Sequence, residues 1–167
     1  KALAPETQYA IDQFVLRGGH LLVFVDPDAE SDPTGSSVDP NQPAQTRSSD
    51  LPILFASWGL SYDPSKVVLD ASSALQVQPD PAKPPVRHVG ILGLKADNMN
   101  QKDVVTADLE SLNLASAGSL SLRPDSTLKL EPLLQSSGNS ALATTQAVRA
   151  ATSDRPLRSA CGRKVAI

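Results

Sequence analysis

One cysteine, Cys161, stands among 167 residues, so no disulfide framework braces the chain and cysteine usage leaves the redox compartment open. Aromatic residues make up only 4%, too few for a base-stacking platform. The formal net charge of −3 supplies no basic stripe to displace phosphate counterions. Nucleic acid is therefore excluded as a partner. Long apolar runs are missing too: the longest, residues 21–25, falls far short of the roughly 20 residues that span a bilayer. No signal-peptide pattern opens the chain. Phosphate-cradling and metal motifs are absent, since neither GxGxxG, nor GxxxxGK[ST], nor HExxH occurs, and Gly18-Gly19 ends a helix where a cradle would have to begin one. Cysteine and histidine show no metal-ligand spacing, so neither a cofactor nor a metal is expected.

What is present is a chain with 40% hydrophobic and 20% charged residues, enough apolar surface for one core of ordinary domain size. The most informative stretch is YAIDQFVLRGGHLLVFVDP. Thr7, Ala10, Ile11, Phe14 and Val15 recur at helical spacing, Pro5 suits the first turn, and Gly18 suits the left-handed residue after the end. Residues 21–25 then run apolar without alternation, the pattern of a strand covered on both faces in a mostly parallel sheet. A crossover helix normally has a strand on each side, so a further strand is expected ahead of Lys1.

The same plan repeats. Asp50 is placed as the N-cap of a second helix whose apolar face is Leu51, Leu54, Phe55 and Trp58, with Gly59 ending it. Residues 66–69 follow as a short strand closing on Asp70. Two helix-strand units predict an α/β fold: a doubly wound, mostly parallel sheet of the Rossmann-like or flavodoxin-like three-layer kind. A third strand is expected over 88–94, after the stiff PDPAKPP linker. Asn100 is placed as the cap of a short helix. Leu112/Leu114, Leu120/Leu122 and Leu128/Leu130 alternate with polar neighbours, which predicts half-exposed, antiparallel strands in the C-terminal half. Residues 142–151 are assigned to a last, Ala-rich helix. The expected organisation is one α/β domain over 1–151, with a mobile polar loop over 27–49, and a basic, poorly ordered tail over 152–167.

Nucleophilic catalysis requires a nucleophile, a base within hydrogen-bond reach and a group orienting that base. His20 opens the first apolar segment and Asp26 follows its end, roughly 20 Å apart at about 3.3 Å per residue. His88 also opens its strand, while ligands of open α/β sheets gather beyond the carboxyl ends. Cys161 lies in the basic tail with no strand-turn-helix elbow around it. No catalytic residue is assigned. The remaining pair is Asp26 and Asp70, each at the carboxyl end of an expected strand, where two carboxylates converge on a hydroxyl-rich ligand or a hard cation if the strands are neighbours. The competing reading is that both acids simply start turns, because Asp bonds its own backbone two residues on.

YAIDQFVLRGGHLLVFVDP, SDLPILFASWGLSYDPSKVVLD and SLNLASAGSL followed by LEPLLQSS resemble, over roughly residues 2–143, the GldG-like auxiliary component of gliding-motility-type ABC transport systems. The resemblance implies an α/β domain of the kind also seen in an intraflagellar transport protein and distantly similar to class I glutamine amidotransferase folds. It further implies a place on the extracytoplasmic, periplasmic side of the inner membrane, anchored by transmembrane segments outside this chain. The implied partners are ABC permease and ATPase subunits or other membrane-complex proteins, with a glycan as a further possible ligand. No motif matches an amidotransferase nucleophile, so fold kinship transfers no catalysis. The tail DRPLRSACGRKVAI departs from the family pattern. The expected function is a non-catalytic binding domain, and the alternative is a small hydrolase of carbohydrate or ester bonds using the strand-end carboxylates.

Overall fold

The computed structural model describes residues 3–32, 47–78, 80–150 and 164–167. Helix α1, Pro5–Leu16, begins on a proline and ends as the sequence predicts. Gly18 takes φ +86°, its N–H reaches Val15 O at 2.9 Å, and Gly19 N–H reaches Phe14 O at 3.0 Å. These two bonds satisfy carbonyls that the helix end would otherwise leave open. Helix α2, Pro52–Ser57, is short and starts one residue later than expected. Its N-cap is Leu51, because the Asp50 carboxylate accepts the Leu51 N–H at 2.7 Å instead of bridging into the first turn. Trp58 joins the two helices through an indole N–H donated to Asp12 at 3.0 Å.

Among the described residues seven strands follow: β1 Leu60–Tyr62, β2 Lys66–Asp70, β3 Ala74–Val77, β4 Val86–Lys95, β5 Ser111–Ala115, β6 Leu120–Leu122 and β7 Ser140–Thr144. They form three small sheets, ordered β1-β6, β2-β7 and β3-β4-β5. Every pairing among the described residues is antiparallel. The expected doubly wound, mostly parallel sheet is therefore corrected to small antiparallel sheets with three short helices. Residues 20–25 carry no strand pairing, and residues 66–69 pair with β7 in the antiparallel sense, Val67 opposite Ala143 and Val68 opposite Leu142.

The reason lies in how β2 obtains its cover. Val67, Val68, Leu69 and Asp70 are all buried, as an unalternating strand demands. One face, Val68, packs with Leu92 and Leu94 of β4 and with Met99. The other, Val67 and Leu69, packs with Val148 of helix α3, Thr145–Arg149. Two-sided burial thus arises from a sheet on one side and a helix on the other, without parallel neighbours. An unalternating run reports cover on both faces and leaves strand direction open.

The C-terminal half follows its alternation in part. Leu112 and Leu114 face the core from β5, and β6 pairs Leu122 with Leu60 and Leu120 with Tyr62. Residues 128–130 form no strand, and the segment after Asn100 is a series of turns in place of a helix. The helix expected over 142–151 is replaced by β7 and then α3. Thr144 serves both elements, ending the strand while its hydroxyl accepts the Ala147 N–H at 3.2 Å as the N-cap of α3. Its side-chain oxygen fills an N-terminal donor that Ala could not.

Residues 33–46 of the expected mobile loop, residue 151 of the expected last helix and residues 152–163 of the expected tail, Cys161 among them, lie outside the described residues. The two ends of the loop are joined to each other: Ser49 N–H reaches Asp26 O at 2.8 Å and Ala29 N–H reaches Arg47 O at 3.0 Å. Residues 164–167 return to the core. Val165 and Ile167 pack against it, Leu120 N–H reaches Ala166 O, and Ile167 N–H reaches Leu134 O, both at 3.1 Å.

Candidate functional site

Asp70 ends β2 fully buried. Its carboxylate accepts five hydrogen bonds: from Ser72 N–H, Ser73 N–H, Ser73 Oγ, Ser137 N–H and Ser137 Oγ, the last two at 2.6 and 2.7 Å. Burial opposes the charge, yet the Ser137 hydroxyl and these backbone donors outweigh it and hold the carboxyl below its ordinary value of 3.8. The group is an ionised staple that ties the turn after β2 to the turn before β7. Its lone pairs already face donors of the chain itself.

Asp26 sits in a different setting. Its Oδ1 accepts the Asp28 N–H at 2.8 Å, and its backbone N–H donates to Ser49 Oγ at 2.8 Å. This is an Asx turn, the turn-forming arrangement weighed above. Burial pushes the Asp26 carboxyl above 3.8, only partly offset by the Asp28 N–H and reinforced by the charges of Asp28 and Glu30. Asp26 and Asp70 do not end adjacent parallel strands, since one lies outside any strand and the other is paired to β7.

Beside Asp26 stands an ion cluster that sequence reasoning missed. Asp28 is buried and is gripped by Arg149, Nη2 to Oδ1 at 2.6 Å and Nε to Oδ2 at 2.8 Å, and by Arg47, Nε to Oδ1 at 3.0 Å. The Arg149 hydrogen bonds are the largest cause holding its carboxyl below the ordinary value, against the opposing effect of burial. The cluster fastens α3 to the segment after Asp26. Asp28 and Arg149 lie 121 positions apart, and nothing local in either neighbourhood announces the pair. Next to it, Ser116 at φ +52° donates its hydroxyl to Glu30 at 3.1 Å.

The histidines stay apart from both acids in bonding. His20 is exposed, and His88 in β4 accepts the Gly90 N–H through Nδ1 at 3.3 Å. Among the described residues, no group of three or more His, Cys, Asp or Glu side chains is placed to hold a metal ion. Open depressions remain among the described residues. One of about 610 Å³ is lined by Asp50, Phe55, Tyr62 and Arg123, one of about 520 Å³ by Asp97, Asn100, Lys102 and Glu131, and one of about 330 Å³ by Ser72, Lys95, Ser137 and Lys164. Tyr62 packs edge-on against Phe55, centroids 6.0 Å apart. Its buried hydroxyl has no hydrogen-bond partner.

The helix-strand units that these side chains hang from match the model of a family described as an ABC-type uncharacterized transport system, over residues 1–166. The chain belongs to this family. It is an auxiliary component of an ABC transport system. No curated protein and no solved structure matches it. Among the described residues, no helix is long and apolar enough to cross a membrane. The family match spans both acidic centres and the loop between them, so the Asp70 staple and the Asp28 cluster lie inside the family domain.

Proposed function

We propose that this chain is a non-catalytic binding domain of the auxiliary component, working on the extracytoplasmic, periplasmic side of the inner membrane and engaging the permease of its transport system. The tether to the membrane is assigned to segments that are not in this chain. Family membership supports the transport setting, and the gliding-motility-type resemblance supports the extracytoplasmic placement. The observation that carries binding over hydrolysis is the state of Asp70. A general acid needs a carboxyl raised toward the working pH, whereas Asp70 is held down by five donors and is sealed from substrate. Asp26 is raised, but its Oδ1 is engaged in the Asx turn and its backbone is paired with Ser49. A two-carboxylate hydrolase needs both groups facing one concave pocket.

The test is a titration of the chain against peptides for the extracytoplasmic loops of the cognate permease, run beside chromogenic glycoside and ester substrates. Saturable binding to a permease loop, unchanged in Asp26→Asn, with no turnover is the expected result. Turnover that disappears in Asp26→Asn would replace this reading with the hydrolase. Binding to glycans in place of loops would move the partner from protein to carbohydrate and overturn the permease assignment.

A further inference from the structure

The N-terminal unit presents apolar surface that the other described residues leave exposed. Leu22 is 77% and Phe24 85% exposed, and in α1 Leu16 is 70% and Tyr9 67% exposed. No helix, turn or strand pairing engages residues 20–25, and no hydrogen bond joins their backbone to another described residue. An apolar segment with an unpaired row of N–H and C=O groups is a template for an added strand. A lipid surface would leave those backbone groups unsatisfied.

Which strand fits is decided by the segment itself. Asp26 already gives its N–H and C=O to Ser49. In a strand, residues 20, 22 and 24 direct their backbone groups to that same side, and 21, 23 and 25 direct theirs to the open side. Reversed about Val23, the sequence HLLVFVD is its own complement. Val23 faces Val23 of a second copy, Leu21 faces Val25, and Leu22 faces Phe24. The His20 imidazole meets the Asp26 carboxylate at both ends. In this register 21, 23 and 25 exchange the ladder bonds, while Leu22 and Phe24 occupy the pairs whose side chains approach most closely. The Asp26–Ser49 bonds are undisturbed.

We infer that residues 20–26 form a symmetric antiparallel interface with a second copy of this chain, closed by Leu22–Phe24 contacts and His20–Asp26 contacts about a two-fold axis at Val23. The interface is isologous, so it stops at two copies and does not grow into a fibre. It is independent of the permease reading, because it needs no transporter to form.

The experiment is sedimentation velocity of the full chain over the micromolar range, with reductant present so that Cys161 cannot link copies. The expected result is a shift from one chain to two as concentration rises, with amide exchange slowed at Leu21, Val23 and Val25 and not at Leu22 or Phe24. Val23→Pro removes a ladder donor in each copy and is expected to weaken dimerisation by about tenfold or more. Leu22→Lys combined with Phe24→Lys, which leaves the backbone able to pair, is expected to abolish it, while Leu142→Lys on another exposed apolar residue leaves it intact. A single-chain mass at all concentrations overturns the inference. So does a dimer that survives Val23→Pro or the double lysine variant, or assembly beyond two copies.

Discussion

Asp70 concentrates much of the local order among the described residues. Its five donors come from both turns that flank the β2-β7 pair. Asp70→Asn exchanges one acceptor oxygen for an NH2 group facing donors, which is expected to cost about 3 kcal/mol at neutral pH, measured by urea unfolding. The pH sign follows from the lowered carboxyl: the unfolded chain binds the proton more readily, so the stabilisation is present above 3.8 and is lost as pH falls through the folded value. Asp28 acts in the same direction. Acid unfolding of the wild type is therefore expected to flatten in Asp70→Asn, and an unchanged acid limb would contradict the staple. Tyr62 is the converse case. Its buried hydroxyl is unpartnered and its acidity is suppressed by burial, with the charges of Asp26, Asp50 and Asp63 adding to the effect. Tyr62→Phe removes an unpaired polar atom and keeps the ring on Phe55, so a stabilisation of about 1 kcal/mol is expected in the same unfolding assay.

Among the elements, helix ends were the most legible feature. Gly18 and Gly59 stop α1 and α2 where their positions imply, both at positive φ, because a left-handed residue after a helix costs glycine nothing. Gly18→Ala is expected to destabilise by about 1 kcal/mol, and thermal unfolding at matched pH checks it; an unchanged midpoint would mean that the α1 terminus frays in the native state. Strands were legible where a face repeats, as in β5 with Leu112 and Leu114, and at 66–69 where Val67, Val68 and Leu69 run apolar without alternation. Residues 60–62 and 74–77 passed unnoticed because strands of three and four residues carry too few positions to establish a period unless, as with Leu120 and Leu122, the same alternation repeats in neighbouring segments. Residues 142–144 read as the start of the helix expected over 142–151 because that segment is rich in alanine, and pairing with β2 overrode the propensity. The staple itself was half legible: the position of Asp70 marked it, but Ser137 lies 67 residues away and has no local signal.

For the whole molecule, topology was the part the chain did not disclose. Helix followed by apolar strand is common to parallel and antiparallel architectures, and the direction of pairing depends on contacts such as Val67 with Ala143 that are remote in sequence. The family, by contrast, was readable from ordered segments spread over most of the chain, and the match over residues 1–166 bears it out. Asp26 and Asp70 were singled out by position in an expected sheet; once that sheet is replaced by small antiparallel ones, each acid is accounted for by its own hydrogen bonds. The chain is an auxiliary transport component, and the function proposed for it is to bind and not to react. Co-sedimentation of the purified chain with proteoliposomes holding the cognate permease and ATPase, against liposomes of the same lipid alone, tests it most directly. Saturable retention on the transporter-bearing vesicles and none on the empty ones is the predicted result. Equal partition between the two, with the chain remaining folded, would contradict the account.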